Sequence, residues 1–129
     1  MTRRVLLVGL AAERVDYSKW PQLDREKLEH AFEAVRASLD QAGFDAHWCL
    51  TDQGQTARTV LARDLERYRP EIVCIGAGVR QDPDLLELFE EMLALVHRLA
   101  PQAALCFNTL PFDTADAVRR AEARLVNPT

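Results

Sequence analysis

Hydrophobic and polar positions follow two rhythms along this chain, and the two alternate four times. Residues 4–10, Arg-Val-Leu-Leu-Val-Gly-Leu, form an apolar run after a charged start, as in a strand buried on both faces. Over 24–42 the rhythm becomes helical, with Leu28, Ala31, Phe32, Val35, Leu39 and Ala42 on one stripe. Asp24 is placed to cap this helix, Leu23 and Leu28 hold the two positions of a hydrophobic staple, and Gly43 can adopt the left-handed conformation that closes it. A second strand follows over 45–51. A helix over 55–68 places Ala57, Val60, Leu61, Leu65 and Tyr68 together and ends before Pro70. A third strand covers 71–76. Asp82-Pro83 is a helix entry, cap followed by proline in the first turn, for a helix over 83–99. A fourth strand covers 103–107. The last helix starts at Asp113 or Thr114, where Asp113-Thr-Ala-Asp116 approximates a capping box, and runs to about Val126.

Apolar strands alternating with helices predict parallel strands covered on both faces, so the fold class is α/β, a three-layer α/β/α sandwich around a four-stranded parallel sheet. Right-handed crossovers leave few topologies; the flavodoxin-like order 2-1-3-4 is preferred over a singly progressing, Rossmann-like one. No repeat, low-complexity tract or linker divides the 129 residues, which predicts one domain over 1–129. The helix over 83–99 has apolar residues around about half its circumference, more than one sheet face uses. Its surplus predicts packing on a neighbouring helix or on a second copy of the chain, a homodimer.

Composition narrows the function classes. Sixteen Lys and Arg against twenty Asp and Glu give a net charge of −4, which argues against a nucleic-acid partner. No apolar run reaches the roughly 20 residues that span a bilayer, and the apolar run after Arg4 is too short for a signal sequence. Cys49, Cys74 and Cys106 stand far apart, without the spacing of redox dithiols or zinc sites, and each sits between apolar neighbours as a core residue does. A cytoplasmic protein with no metal and no cofactor is expected. His30 and His47 lack partners at ligand spacing, and His97 borders the apolar face of its helix. Ser18 and Ser38 lie in no nucleophile turn.

In open α/β sheets ligands bind beyond the carboxyl ends of the strands, where the strand order reverses. Three segments converge there: 11–21, 77–82 and 108–114. The first is long for a connection and holds Asp16, Tyr17, Ser18, Lys19 and Trp20. It closes on a bound molecule as a lid, or its Val15, Tyr17 and Trp20 cap the sheet edge. In the second, Gly76 and Gly78 lead toward a helix N-terminus and Arg80 offers a fork of donors, a pattern suited to a small anionic molecule. The same glycines also serve simply to turn the chain. In the third, Asn108 and Thr109 stand at a strand end, able to fix a ligand or to tie the turn through their own backbone. Asp16 and Asp113 are the carboxylates placed to act as a base. The expected function is binding of a small anionic ligand by Gly76, Gly78, Arg80, Asp16, Tyr17, Asn108 and Thr109; the alternative is an oligomerising or partner-binding module using the apolar face of the helix over 83–99.

The turn after the first strand, Gly9-Leu-Ala-Ala-Glu13, is not a dinucleotide-binding G-x-G-x-x-G, and no P-loop occurs. In size and alternation the chain resembles receiver domains, whose acidic residues and phosphoacceptor would fall where Gly9-Leu10 and Gly76-Ala77 stand. In the blocks at 5–10, 15–18, 75–80, 106–109 and 113–117 it resembles a group of small bacterial proteins of unassigned function. That resemblance implies a cytoplasmic single domain and supplies no activity.

Overall fold

The computed structural model describes residues 2–127. Four strands, β1 (Arg4–Leu10), β2 (Asp45–Thr51), β3 (Ile72–Ile75) and β4 (Ala104–Phe107), form one parallel sheet in the order 2-1-3-4. Five helices join and cover them: α1 (Arg25–Gln41), α2 (Ala57–Tyr68), the short α3 (Ala77–Arg80), α4 (Leu86–Leu99) and α5 (Thr114–Val126).

The two-residue period of β1 divides the core. Leu6, Val8 and Leu10 face α2, α3 and α4, whereas Val5 and Leu7 face α1 and α5. Strand β3 does the same, Val73 and Ile75 to the first layer and Ile72 and Cys74 to the second. Both central strands are therefore apolar at nearly every position, and the hydrophobic effect fixes a sheet between two helical layers. Strand β2, at one edge, is partly solvated; its Trp48 packs on Phe32 of α1 at 4.6 Å and donates to the Phe32 carbonyl at 2.9 Å. At the other edge the carbonyls of Leu105 and Phe107 accept from Arg124 and Arg120 of α5, which blunts β4 against further pairing.

Several boundaries move for identifiable reasons. Helix α2 starts at Ala57, two residues later than the sequence predicts, because Asp52 caps it from outside the first turn. The stretch after β3 is not a bare glycine turn: Ala77–Arg80 makes one helical turn, and Pro83–Leu85 a 3-10 turn, before α4 begins. Asp113 is not a forward cap for α5; its carboxylate turns back to the amides of Thr109 and Leu110. Gly43, at φ +91°, closes α1 as expected, while α2 ends on Arg69 in a left-handed conformation. The wide stripe of α4 is used inside the chain. Leu88, Met92, Leu95 and Val96 are buried in the layer shared with α2, and Phe89 meets Phe107 of β4 edge-on at 5.9 Å. Leu86 is the large apolar side chain of this helix left open, 58% exposed.

Candidate functional site

At the carboxyl ends of β1 and β3, where the strand order reverses, lies a cleft of about 440 Å³. Leu10, Val15, Trp20 and Leu85 give it apolar walls, and Asp16, Lys19, Gln53, Asp82 and Asp84 give it a polar rim, with Gly78 between. One side is the connection from β1 to α1, which folds into two 3-10 turns, Ala12–Arg14 and Tyr17–Lys19. The opposite side is the turn that leads into α4.

The first side is braced from within. The Asp16 carboxylate accepts from the Ser18 hydroxyl at 2.6 Å and the Ser18 amide at 3.1 Å, and these bonds hold its carboxyl below the usual range. The Tyr17 hydroxyl donates to the Ala12 carbonyl at 2.6 Å, and burial raises its pKa. Across the cleft, the Lys19 ammonium donates to both oxygens of Asp82, at 3.0 and 2.9 Å, and to Asp84 at 2.7 Å. Those contacts, Asp84 first and then Asp82, push the Lys19 pKa up and keep it charged. Asp82 is buried, and it also caps the following turn by accepting from the Asp84 amide at 2.9 Å.

The other expected residues gather one strand further along, at the ends of β3 and β4. There Asn108 is buried with its hydrogen-bonding groups engaged. Its Oδ1 accepts from the Ala77 amide at 2.9 Å, its Nδ2 donates to Thr114 Oγ1 at 2.9 Å, and its carbonyl accepts from Arg80 Nη2 at 2.7 Å. The Arg80 guanidinium lies over the Phe107 ring, 5.8 Å from its centre, and its Nε is buried without a partner. Thr109 donates from its amide, at 3.0 Å, and from its hydroxyl to Asp113. Burial raises the Asp113 pKa, but the bonds from Thr109 and Leu110 outweigh it, so the carboxyl stays ionised below its ordinary range. A Cβ on Gly76 would stand in ordinary contact with the Val8 carbonyl, at 3.4 Å, and with Asn108, at 3.9 Å, so this position packs between β1 and β4 without a steric demand for glycine.

The expected residues thus fall into two neighbourhoods. Asp16 and Gly78 line the cleft, Tyr17 braces its wall, and Gly76, Arg80, Asn108 and Thr109 tie β3, α3 and β4 together. The cleft adds Leu10, Val15, Lys19, Trp20, Gln53, Asp82, Asp84 and Leu85. Lys19 and Trp20 were visible in the first loop as residues able to contact a ligand; the Gln53 contribution has no sequence signal, since it comes from the loop after β2.

Elsewhere the chemistry is quiet. Cys49, Cys74 and Cys106 are buried and free. Burial and the neighbouring Asp64 push the Cys49 thiol up, and its contact with Cys106 together with burial does so for Cys74. Among the described residues no three His, Cys, Asp or Glu side chains are grouped to hold a metal ion, and no helix is long and apolar enough to cross a membrane. No protein-family model matches this chain, and no curated protein matches it.

Proposed function

We propose that the chain binds a small organic molecule in the cleft between residues 15–20 and 78–85. The observation that carries this reading is the cleft itself: apolar walls with a few convergent polar groups, at the switch point of a parallel sheet. Three carboxylates, Asp16, Asp82 and Asp84, and one ammonium, Lys19, line it. That balance favours a neutral or cationic molecule with an apolar or aromatic portion that packs on Trp20. An anion, expected from Arg80, has less support here, because the Arg80 guanidinium is engaged with Asn108 and Phe107 and is not among the lining residues.

A thermal-shift panel of nucleosides, free amines, amino acids, sugars and inorganic anions tests the reading, with Gly78→Leu as the blocked variant. A Cβ at Gly78 meets nothing within 4 Å and its φ suits any residue, so leucine is tolerated by the fold and occupies the rim of the cleft. A compound at about 100 times its Kd adds about 2.7 kcal/mol. The expected result is a compound that raises the wild-type Tm and leaves Gly78→Leu unmoved. A Tm rise that Gly78→Leu shares fully overturns the placement.

A further inference from the structure

We propose that residues 15–20 are a lid over the cleft and that Lys19 is its latch, an inference that rests on the cleft being the binding site. This segment is held to itself by the Asp16–Ser18 bonds, the Lys19 amide on the Asp16 carbonyl at 3.1 Å and the Trp20 amide on the Tyr17 carbonyl at 3.2 Å. Tyr17 adds its bond to Ala12, still within the same connection. Across the cleft, the hydrogen bonds and ion pairs that residues 15–20 make among the described residues all come from one group, the Lys19 ammonium on Asp82 and Asp84. Val15 packs on the core, and Tyr17 and Trp20 are half-buried.

A unit braced within and tied across the cleft by one side chain moves as a body when the tie is released. Its closed position is favoured because the ammonium satisfies its three donors on carboxylate oxygens at 2.7–3.0 Å. Its partner Asp82 is fixed, buried at the start of the turn into α4, whereas Lys19 reaches from a flexible stem. Opening exposes Trp20, which lines the cleft, so the lid carries its own optical reporter.

Lys19→Met keeps the aliphatic stem and removes the latch; Lys19→Arg retains the charge. Two measurements on the ligand-free protein test the role. Acrylamide quenching of Trp20, read in a Trp48→Phe background, rises at least twofold in Lys19→Met. In the same substitution made without Trp48→Phe, 15N order parameters of the amides at 15–20 fall toward about 0.6 while those of β1 and α4 stay rigid. Lys19→Arg stays near the wild type in both. Unchanged quenching and order parameters in Lys19→Met overturn the latch, and so does equal loosening of β1 and α4, which makes the ion pair a brace of the whole fold. Neither measurement uses a ligand, so their failure is distinct from failure of the binding panel.

Discussion

Asn108→Ala removes one carboxamide at the junction of three elements, and its cost can be worked from the bonds it makes. The Ala77 amide loses its acceptor while buried, a loss of about 1–3 kcal/mol, and the bond to Thr114 contributes about 1 kcal/mol more. The Arg80 bond goes to the backbone carbonyl and survives the substitution. A total of about 2–4 kcal/mol converts through the unfolding entropy: at about 2.1 cal/mol/K per residue, a chain of 129 residues has about 270 cal/mol/K, so 1 kcal/mol moves Tm by about 4 °C. The expected fall is about 8–16 °C by calorimetry. A Tm within 2 °C of the wild type for Asn108→Ala would refute the reasoning, because it would mean that the carboxamide does not join α3 to β4 and remains free for another task.

Asp52 gives a pH signature. The Thr56 hydroxyl and the amides of Gly54, Thr56 and Ala57 outweigh its burial and lower its pKa to about 2, below the ordinary 3.8. A carboxylate lowered on folding stabilises fully above its unfolded pKa and loses that contribution as the pH falls through its folded one. The Tm advantage of the wild type over Asp52→Asn therefore narrows between about pH 4 and pH 2; an advantage constant over that range contradicts the cap. For α4, Met92→Ala lowers stability by about 2–5 kcal/mol, since Met92 is wholly buried, whereas Leu86→Lys changes it by less than about 0.5 kcal/mol. A Leu86→Lys loss as large as that of Met92→Ala, with a change in light-scattering mass, would instead support this helix as a subunit interface.

The architecture was legible because it depends on patterns that repeat over many residues. The apolar runs of β1 and β3 and the stripes of α1 and α2 each average over several positions, while the chirality of crossovers narrows the strand order without selecting 2-1-3-4 by itself. The width of the α4 stripe was equally visible, but not its partner: α2 and Phe107 take it up, and a sequence read one helix at a time does not tell a neighbour in the chain from a second copy. Single polar groups were less legible. Arg80 and Asn108 have side chains able to hold a ligand, but Arg80 donates to the Asn108 backbone carbonyl, 28 residues away in the chain, and the Asn108 carboxamide is taken up by the Ala77 amide and the Thr114 hydroxyl. Lys19 and Asp82, 63 residues apart, form the tie across the cleft; the sequence placed Asp82 as a cap, which it is, and gave no sign of its second partner. Side-chain direction at a loop depends on contacts of this kind, which no local pattern encodes.

The most direct measurement is a 15N HSQC titration of the wild-type chain with the panel compound that most raises Tm. Shifts concentrated at the amides of Leu10, Val15, Trp20, Gln53, Gly78 and Leu85, and absent in Gly78→Leu, are what the cleft predicts. Shifts concentrated instead at Arg80 and over 107–114 would contradict it and return the binding site to the ends of β3 and β4.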